Sequence, residues 1–313
     1  MIGTAGYIAP RHLKAIKDTG NTLLAAMDKN DSVGIMDSFF PEAMFFTEFE
    51  QFQQEVDLLN QSDRKPHYTA ITSPNYLHSA HIRFALNQST HAICEKPLVL
   101  NPSDLDQLTA VEAATGFQVY NILQLRLHPS IIELRNRVNA ETQNNPDKVY
   151  EVDLTYLTSR GNWYFTSWKG DNAKSGGIAT NIGVHFFDML GWVFGPLVEN
   201  QVHVKQDDTN AGYLEFKHAR VRWFLSVNYA HIPEATKASG ARTYRSITVD
   251  DSEIEFSDGF TELHTRSYEE ILKGNGFGLE EARNSIEIVS NIRHQQPNST
   301  NQSVQHPFIQ AMS

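Results

Sequence analysis

Three short stretches of the sequence contain residue types that could take part in one reaction. Gly3 and Gly6 precede an amphipathic stretch, and glycines before a helix let a phosphate group approach main-chain N–H groups. Lys96 follows a short apolar run. His185 lies four residues after Asn181, so both side chains share one face of a predicted helix. A phosphate-binding turn, a lysine and a histidine together indicate nucleotide-dependent chemistry in which a proton is transferred.

The glycine turn departs from the usual dinucleotide-binding spacing, because Ala9 occupies the third glycine position. Taken alone, the turn is equally consistent with an ordinary glycine turn. Asp28 lies about 20 residues further on, where a carboxylate accepts hydrogen bonds from both ribose hydroxyls of adenosine. A carboxylate there repels a 2′-phosphate, so the sequence favours NAD over NADP. The alternative is that Asp28 caps a helix beginning near Asp31.

Two further turns follow apolar runs that are typical of buried strands. The turn Ser73–Asn75 is followed by His78, and the tripeptide Glu95-Lys96-Pro97 ends the next run. Ligands bind beyond the carboxyl ends of parallel strands, so both turns should face the same crevice as the glycine turn. If the tripeptide stood alone, Lys96 would be interpreted as a surface lysine in an ordinary turn.

From Pro10 to about Asn121, short apolar segments alternate with amphipathic segments. This βαβα rhythm predicts a doubly wound parallel sheet with helices on both faces, a Rossmann domain. The predicted strands are 23–27, 68–71 and 92–94, and the predicted helices are 11–17, 48–60, 78–88 and 103–115. Only Met1 and Ile2 represent the strand before the glycine turn, so the first strand is expected to be truncated. A missing upstream segment, a misplaced start and a degraded cofactor site are the three explanations.

After Leu123 the pattern changes to alternating apolar and polar residues, as in 151–156, 213–216, 219–228 and 244–249. This alternation predicts an α+β domain with a mostly antiparallel, open sheet. We expect a cofactor-binding domain over 1–125 and a domain for substrate binding and oligomerisation over 126–313. The glycine-containing stretch 160–177 is long for a loop, which favours a functional role. A helix is predicted over 181–194, and a flexible connector over 295–305.

Composition excludes several classes of function. The chain of 313 residues carries 26 basic and 37 acidic side chains, a net charge of −11, so a nucleic-acid partner is not expected. The single cysteine, Cys94, cannot form an internal disulfide, and there is no cysteine cluster for a structural metal. His78 and His81 have no third ligand nearby, so no metal site is predicted. Without a signal peptide or a long apolar run, the protein is expected in the cytoplasm, away from membranes.

The Glu95-Lys96-Pro97 tripeptide, the Ser73–Asn75 turn with His78, and the GGxxxNxGxHxxD segment 176–188 resemble the glucose-fructose oxidoreductase / inositol dehydrogenase (Gfo/Idh/MocA) family. The resemblance spans nearly the whole chain. The stretches 6–12, 121–126 and 158–164 look most like the UDP-N-acetylglucosaminuronate 3-dehydrogenases of the WlbA/WbpB type within that family. The family commonly has aspartate where this chain has Asn181.

The resemblance implies oxidation of the sugar 3-hydroxyl by NAD, in the biosynthesis of bacterial surface polysaccharide that contains diacetamido-mannuronate. It also implies a homotetramer, and some members of this group recycle NADH by reducing 2-oxoglutarate. The cofactor contacts that it implies are Gly3, Gly6, Tyr7, Ile8, Asp28, Ser73, Pro74, Asn75, His78, Glu95 and Lys96. The substrate contacts that we expect are Arg160, Asn162, Trp163, Lys169, Thr180, Asn181 and His185.

Oxidation of a hydroxyl requires a base for its proton, and Lys96 and His185 are the candidates. Either His185 accepts the proton while Lys96 stabilises the developing alkoxide, or the two roles are reversed. Asn181 is placed with the catalytic residues, although its amide carries no proton and is better suited to bind a sugar hydroxyl. Asp188 either orients His185 or makes a hydrogen bond within the helix. Arg160 and Lys169 are assigned to the substrate anions, and Arg126 is a further candidate cation.

Two other functions remain open from the sequence. Some members of the family keep NAD bound and cleave a glycosidic bond through transient oxidation, which would make the chain a glycosidase without net NADH production. A non-catalytic regulator that binds a sugar nucleotide or NADH is suggested by the short first strand and by Asn181. Lys96 and His185 together argue against the regulator.

Overall fold

The computed structural model describes residues 1–254, 262–298 and 304–310. Contacts between residues divide the chain into two compact units, each made of two segments. The first unit comprises Met1–Gln124 and Thr261–Arg283, and the second comprises Leu125–Phe260 and Asn284–Ser313. The chain therefore leaves the first unit close to the predicted boundary at residue 125, and it later returns to that unit.

The N-terminal segment alternates helices with short strands, as its sequence pattern predicts. Its elements are α1 (Ala9–Asp18), β1 (Ala25–Met27), β2 (Met44–Phe46), α2 (Phe49–Asn60), β3 (Tyr68–Ile71), α3 (His78–Asn87), β4 (His91–Cys94), α4 (Pro102–Thr115) and β5 (Val119–Asn121). The three predicted strands and four predicted helices are confirmed within a few residues. The strands β2 and β5 were not predicted; both are three residues long, and β2 is only half-buried.

The strands of this segment pair in parallel, β1 with β2 and β3 with β4 and β5. Ile2 makes parallel bridges to both Met27 and Ile71, so it lies between β1 and β3. Its N–H donates to Ala70 O over 2.8 Å, and its carbonyl accepts from Thr72 N over 2.8 Å. This confirms the predicted Rossmann-type parallel sheet, in which Ile2 occupies the position between β1 and β3.

A largely apolar cavity of about 330 Å³ lies at the amino ends of β1 and β3. Met1 lines it, and the buried Met1 amino group donates to Ala25 O over 2.8 Å. Burial lowers the pKa of this amino group to about 5. The glycine turn and Lys96 lie at the carboxyl ends of their strands, so this cavity is separate from the candidate cofactor site.

The remaining elements are α5 (Pro129–Asn144), β6 (Tyr150–Thr158), α6 (Trp163–Thr166), α7 (Asn172–Ser175), α8 (Val184–Phe194), β7 (Leu197–Lys205), β8 (Thr209–Phe216), β9 (Ala219–Ser226), α9 (Glu234–Ala238), β10 (Thr243–Val249), β11 (Ser252–Glu253), α10 (Leu263–Leu272), α11 (Leu279–His294) and α12 (Pro307–Gln310). The sheet of the second unit has the order β11-β10-β6-β9-β8-β7. All of its pairs are antiparallel except β6 with β9. The predicted mostly antiparallel sheet is therefore confirmed.

Two predicted segments of the second unit differ from the structure. The stretch 160–177 contains the short helices α6 and α7, and the predicted helix 181–194 begins as a π-helical turn, Ala179–Gly183, that leads into α8. Helix α8 is apolar on nearly all sides, and Phe187 packs edge-on against Trp223 of β9, with 5.3 Å between ring centroids. Residues 299–303 of the predicted connector lie outside the described residues. No described helix is both long and apolar enough to cross a bilayer.

Candidate active site

The glycine turn adopts a shape that only glycine allows at its first position. Gly3 has a φ of +91°, and a Cβ atom added to it would lie 2.5 Å from the main-chain nitrogen of Ser73. The Thr72 hydroxyl donates to Gly3 O over 2.8 Å. The glycine turn and the Ser73 turn, which are far apart in sequence, therefore touch each other at the start of α1.

At the start of α1, Ala9 N donates to Gly6 O and Arg11 N donates to Ile8 O, each over 3.0 Å. Anion binding at this helix start therefore stays a prediction. Tyr7 is 85% exposed, and the partly exposed Ile8 caps the helix. Asp28 closes β1 with 9% exposure. Its carboxylate accepts from Ala5 N over 2.9 Å and from Asn30 N over 3.0 Å. The carboxylate thus links the glycine turn to the end of β1, where a ribose would be bound in a dinucleotide site.

The turn after β3 is fixed by two histidines of α3. His78 lies between two carbonyl groups, with Nδ1 2.7 Å from Pro97 O and Nε2 2.8 Å from Ser73 O. Burial lowers the pKa of this imidazole. The Ser73 hydroxyl contacts His81 Nδ1 over 2.8 Å, and Asn75 is buried. His78 was predicted to contact the cofactor, and in the structure both of its ring nitrogens lie against the main chain of the two turns.

The carboxylate of Glu95 lies in a buried cluster. Its Oε1 atom is 3.0 Å from His12 Nε2 and 2.9 Å from His264 Nε2, and its Oε2 atom accepts from Lys96 N over 3.1 Å. The peptide bond between Lys96 and Pro97 is cis. Glu95 was predicted to contact the cofactor. The structure shows that its side chain bonds to His12 and His264, both in the first unit. The sequence analysis assigned no role to these two histidines.

The predicted catalytic helix in the second unit has a more complex geometry than its spacing indicated. Asn181 lies in the π-helical turn, and its amide donates to the Tyr164 hydroxyl over 2.9 Å. His185 lies in the first turn of α8, edge-on to Tyr156 with 6.1 Å between ring centroids. Single π-helical turns are frequent at functional sites. Tyr164 is a site residue that the sequence analysis missed, and burial raises its pKa.

The side chains of Thr180 and Asp188 both form hydrogen bonds to residues of the second unit. Thr180 is fully buried, and its hydroxyl donates to Gly176 O over 2.8 Å. Asp188 forms a bidentate, buried ion pair with Arg126 over 2.6 and 2.9 Å. Burial raises the pKa of Asp188, while the guanidinium acts in the opposite direction. The suggestion that Asp188 orients His185 is therefore corrected, and so is the suggestion that Arg126 binds a substrate anion.

Apart from the buried Tyr164, the cations and aromatic residues of segment 160–177 are at least partly exposed. Trp163 is 53% exposed, and Asn162 is exposed beside it. Lys169 Nζ lies 3.9 Å from the centroid of the Trp168 ring. Arg160 is partly exposed, and its guanidinium donates weakly to Ser159 O over 3.4 Å. This segment therefore presents two cations and an aromatic surface at one region of the second unit.

Two family models match most of the chain. The model described as "Oxidoreductase family, NAD-binding Rossmann fold" matches residues 1–122. The model described as "Oxidoreductase family, C-terminal alpha/beta domain" matches residues 147–242. The chain belongs to the Gfo/Idh/MocA oxidoreductase family. The family expected from the Glu95-Lys96-Pro97 tripeptide and the 176–188 segment is thereby confirmed.

The chain is also similar to solved structures over nearly its whole length. It is 49% identical to the WlbA (WbpB) dehydrogenase of Thermus thermophilus in complex with NAD and UDP-GlcNAcA, with 98% of each chain covered and a TM-score of 0.93. A second structure of that dehydrogenase, with NAD and alpha-ketoglutarate, is 50% identical, with the same coverage and TM-score.

Curated relatives match over shorter lengths. The glucose-6-phosphate 3-dehydrogenase of Bacillus subtilis is 26% identical over 202 residues, 61% of this chain and 52% of that protein. The matched segments span between 36% and 52% of the length of the curated relatives.

Proposed function

We propose that this protein is an NAD-dependent dehydrogenase that oxidises the 3-hydroxyl of UDP-N-acetylglucosaminuronate to a ketone. The observation that carries the proposal is the 49% identity, over 98% of both chains, to a dehydrogenase solved with NAD and UDP-GlcNAcA. The family model for the first unit is an NAD-binding one. The glycosidase and the regulator suggested by the sequence have no such support from the comparisons.

The residues of the first unit fit NAD. A Cβ at Gly3 would collide with the Ser73 main chain, so this cradle depends on glycine at the point where a pyrophosphate would approach. The glycine turn before α1 would hold the pyrophosphate, and Asp28 would accept hydrogen bonds from the ribose. Bound NAD supplies the hydride acceptor.

The protein's own part in the reaction is to hold the hydroxyl and remove its proton. His185 accepts the proton, while Lys96 hydrogen-bonds the same oxygen and stabilises the developing negative charge. The reverse division of roles gives a different pH dependence, because a lysine base must first lose its own proton. Comparing the pH–rate profiles of Lys96→Met and His185→Asn distinguishes them, and unchanged turnover in either variant would remove that residue from the chemistry.

Asn181 positions the sugar rather than transferring a proton. Its amide donates to the buried Tyr164 hydroxyl. An amide can donate and accept hydrogen bonds but has no titratable proton, which suits it to hold a sugar hydroxyl. Thr180 supports this turn through its bond to Gly176. Replacing Asn181 by aspartate, the residue more common in the family, should preserve turnover better than replacing it by leucine.

The substrate anions bind to the cations of segment 160–177. Arg160 is suited to a carboxylate or phosphate because its guanidinium can donate two parallel hydrogen bonds, and Lys169 adds a second charge. Asn162 and Trp163 contribute a polar contact and a stacking surface. We expect Arg160→Ala to raise KM for the sugar nucleotide. Lys174→Ala is the matched control, because Lys174 already pairs with Asp171 over 3.2 Å.

Nicotinamide absorbance tests the proposed function directly. The purified protein is mixed with NAD and UDP-N-acetylglucosaminuronate, with and without 2-oxoglutarate. NADH that accumulates without the oxoacid and disappears on its addition would establish both the oxidation and the recycling of the cofactor. A folded, NAD-binding protein that forms no NADH would refute the proposed substrate.

The assembly and cellular role belong to the same proposal. A cytoplasmic homotetramer that serves surface polysaccharide biosynthesis agrees with the group that the sequence resembles. Light scattering coupled to size-exclusion chromatography measures the oligomeric state, and a monomer would contradict this part of the proposal.

A further inference from the structure

Four buried side chains from three distant parts of the chain form a hydrogen-bonded network beside Lys96. His12 lies on α1, Glu95 directly follows β4, and His264 and Tyr268 lie one turn apart on α10. The side chains of His12, Glu95 and His264 are at most 7% exposed. Their bonds span 83 and 169 residues of sequence, and the bond from His12 to Tyr268 spans 256.

The geometry fixes which atoms carry protons. An ionised carboxylate only accepts hydrogen bonds, so both histidines must donate their Nε2–H groups to Glu95. His12 Nδ1 is then free of hydrogen and accepts from the Tyr268 hydroxyl, which lies 2.8 Å away. Burial lowers the pKa of His12. Burial alone would raise the pKa of Glu95, but the hydrogen bonds from both histidines hold it well below its usual range.

The network holds the main chain from which Lys96 projects. The second carboxylate oxygen of Glu95 accepts from Lys96 N over 3.1 Å. On the other side of the lysine, Pro97 O lies 2.7 Å from the His78 ring. The Asn121 amide donates to the carbonyl of Cys94 over 3.0 Å. Lys96 is thus flanked by anchored residues in both directions along the chain.

We propose that His12 and His264 are positioning residues for Lys96. They hold the Glu95 carboxylate ionised and in one orientation, and this carboxylate fixes the Lys96 main chain. Because α1 begins at the glycine turn, the network also connects the proposed cofactor turn to the proposed catalytic lysine. This inference rests on the role given to Lys96 in the proposed function.

A metal ion is the alternative occupant of this cluster, because the three candidate ligand atoms lie within 4.8 Å of one another. Coordination through Nε2 would place a hydrogen on Nδ1 of each histidine. Among the described residues, His264 Nδ1 has no hydrogen-bond partner, so coordination would bury an unsatisfied donor there. The hydrogen-bonded network leaves only a lone pair at that atom, so the contacts favour it over a metal.

Two variants at His264 test the positioning role in the intact protein. His264→Leu removes the donor to Glu95, and His264→Gln keeps an N–H at the position of Nε2. We expect kcat of the leucine variant to fall by about 10–100-fold, since small misplacements of a catalytic group cost this much. We expect KM for the sugar nucleotide and Kd for NAD to stay within about twofold, and glutamine to restore most of the activity.

Ser267→Ala is the matched control, because Ser267 is buried on the same helix and, among the described residues, its hydroxyl donates to Leu263 O of that helix. It should leave kcat unchanged. Equal losses in the leucine and glutamine variants would overturn the proposal, as would a rise in KM at constant kcat.

Nitrogen NMR of the histidine rings tests the network without any assay of turnover. We expect both His12 and His264 to be neutral and protonated at Nε2 at neutral pH. Protonation at Nδ1, or stoichiometric zinc by elemental analysis of the purified protein, would overturn the proposal in favour of a metal. If the wild-type protein binds NAD but oxidises no sugar nucleotide, the proposed substrate fails, while this measurement still decides the network.

Discussion

Replacing Asp188 by asparagine should destabilise the protein severely, because it removes the carboxylate charge that pairs with the buried Arg126 guanidinium. Arg126 donates to both carboxylate oxygens, and the two side chains are 8% and 2% exposed. Removing one partner of a buried ion pair costs about 3–5 kcal/mol. An asparagine would also present an N–H₂ group to a guanidinium that offers only donors.

Urea unfolding followed by tryptophan fluorescence measures this effect. For an m value of about 2–3 kcal/mol/M, the unfolding midpoint should fall by roughly 1–2 M. Trp192 is a local probe, since the Arg126 guanidinium lies 5.9 Å from its ring centroid. The control is the double variant Arg126→Met/Asp188→Leu, which should recover most of the stability, because apolar replacement of a whole buried pair is often neutral.

One result would refute this reasoning. If Asp188→Asn unfolds at the wild-type midpoint and only kcat falls, the carboxylate serves His185, three residues before it on α8, and the ion pair with Arg126 contributes little to stability.

Three further predictions concern the two candidate sites. Gly3→Ala should weaken NAD binding by at least about tenfold in calorimetry, since the added Cβ would meet a main-chain atom at 2.5 Å. Gly20→Ala is the control, because it introduces the same left-handed strain in open space and should leave NAD binding unchanged. Tyr164→Phe removes the acceptor for the Asn181 amide, so kcat/KM should fall by about 3–10-fold with little change in the unfolding midpoint; unchanged kinetics would contradict the role of this pair. Burial lowers the pKa of His81 to about 4, so the unfolded chain binds more protons between pH 6.5 and 4. The free energy of unfolding should therefore fall by about 2–3 kcal/mol over this range, and His81→Phe should flatten the slope.

The sequence predicted the parts of the fold that depend on local pattern. Short apolar runs separated by amphipathic stretches are sufficient to place β1, β3 and β4, because a buried parallel strand needs apolar residues on both faces. The turn before Pro97 could also be found, since it follows such a strand, and the glycine turn could be found because its glycines precede an amphipathic stretch. The strand β2 has a weaker sequence pattern and was not predicted. The parallel pairing of β6 with β9 depends on tertiary contacts and was not predicted either.

The sequence could not identify partners that lie on different elements. The spacing of Asp188 and His185 suggested an interaction along one helix, but the carboxylate pairs with Arg126, 62 residues away. Likewise, nothing in the sequence near Glu95 indicates that His264 will bond to it. Helical spacing predicts contacts only between residues of the same helix. In the folded chain, a residue from a distant element can take the place of such a neighbour as the partner.

The return of α10 to the first unit has a consequence for how the protein is synthesised. Glu95 and His12 leave the ribosome long before His264 and Tyr268 are translated, with 256 residues separating His12 from Tyr268. Until then, the buried Glu95 carboxylate lacks one of its two histidine partners, which disfavours complete folding of the N-terminal segment. We expect that segment to complete its folding only after the second unit has been translated. A fragment that ends near residue 125 should therefore be more sensitive to proteolysis than the full chain.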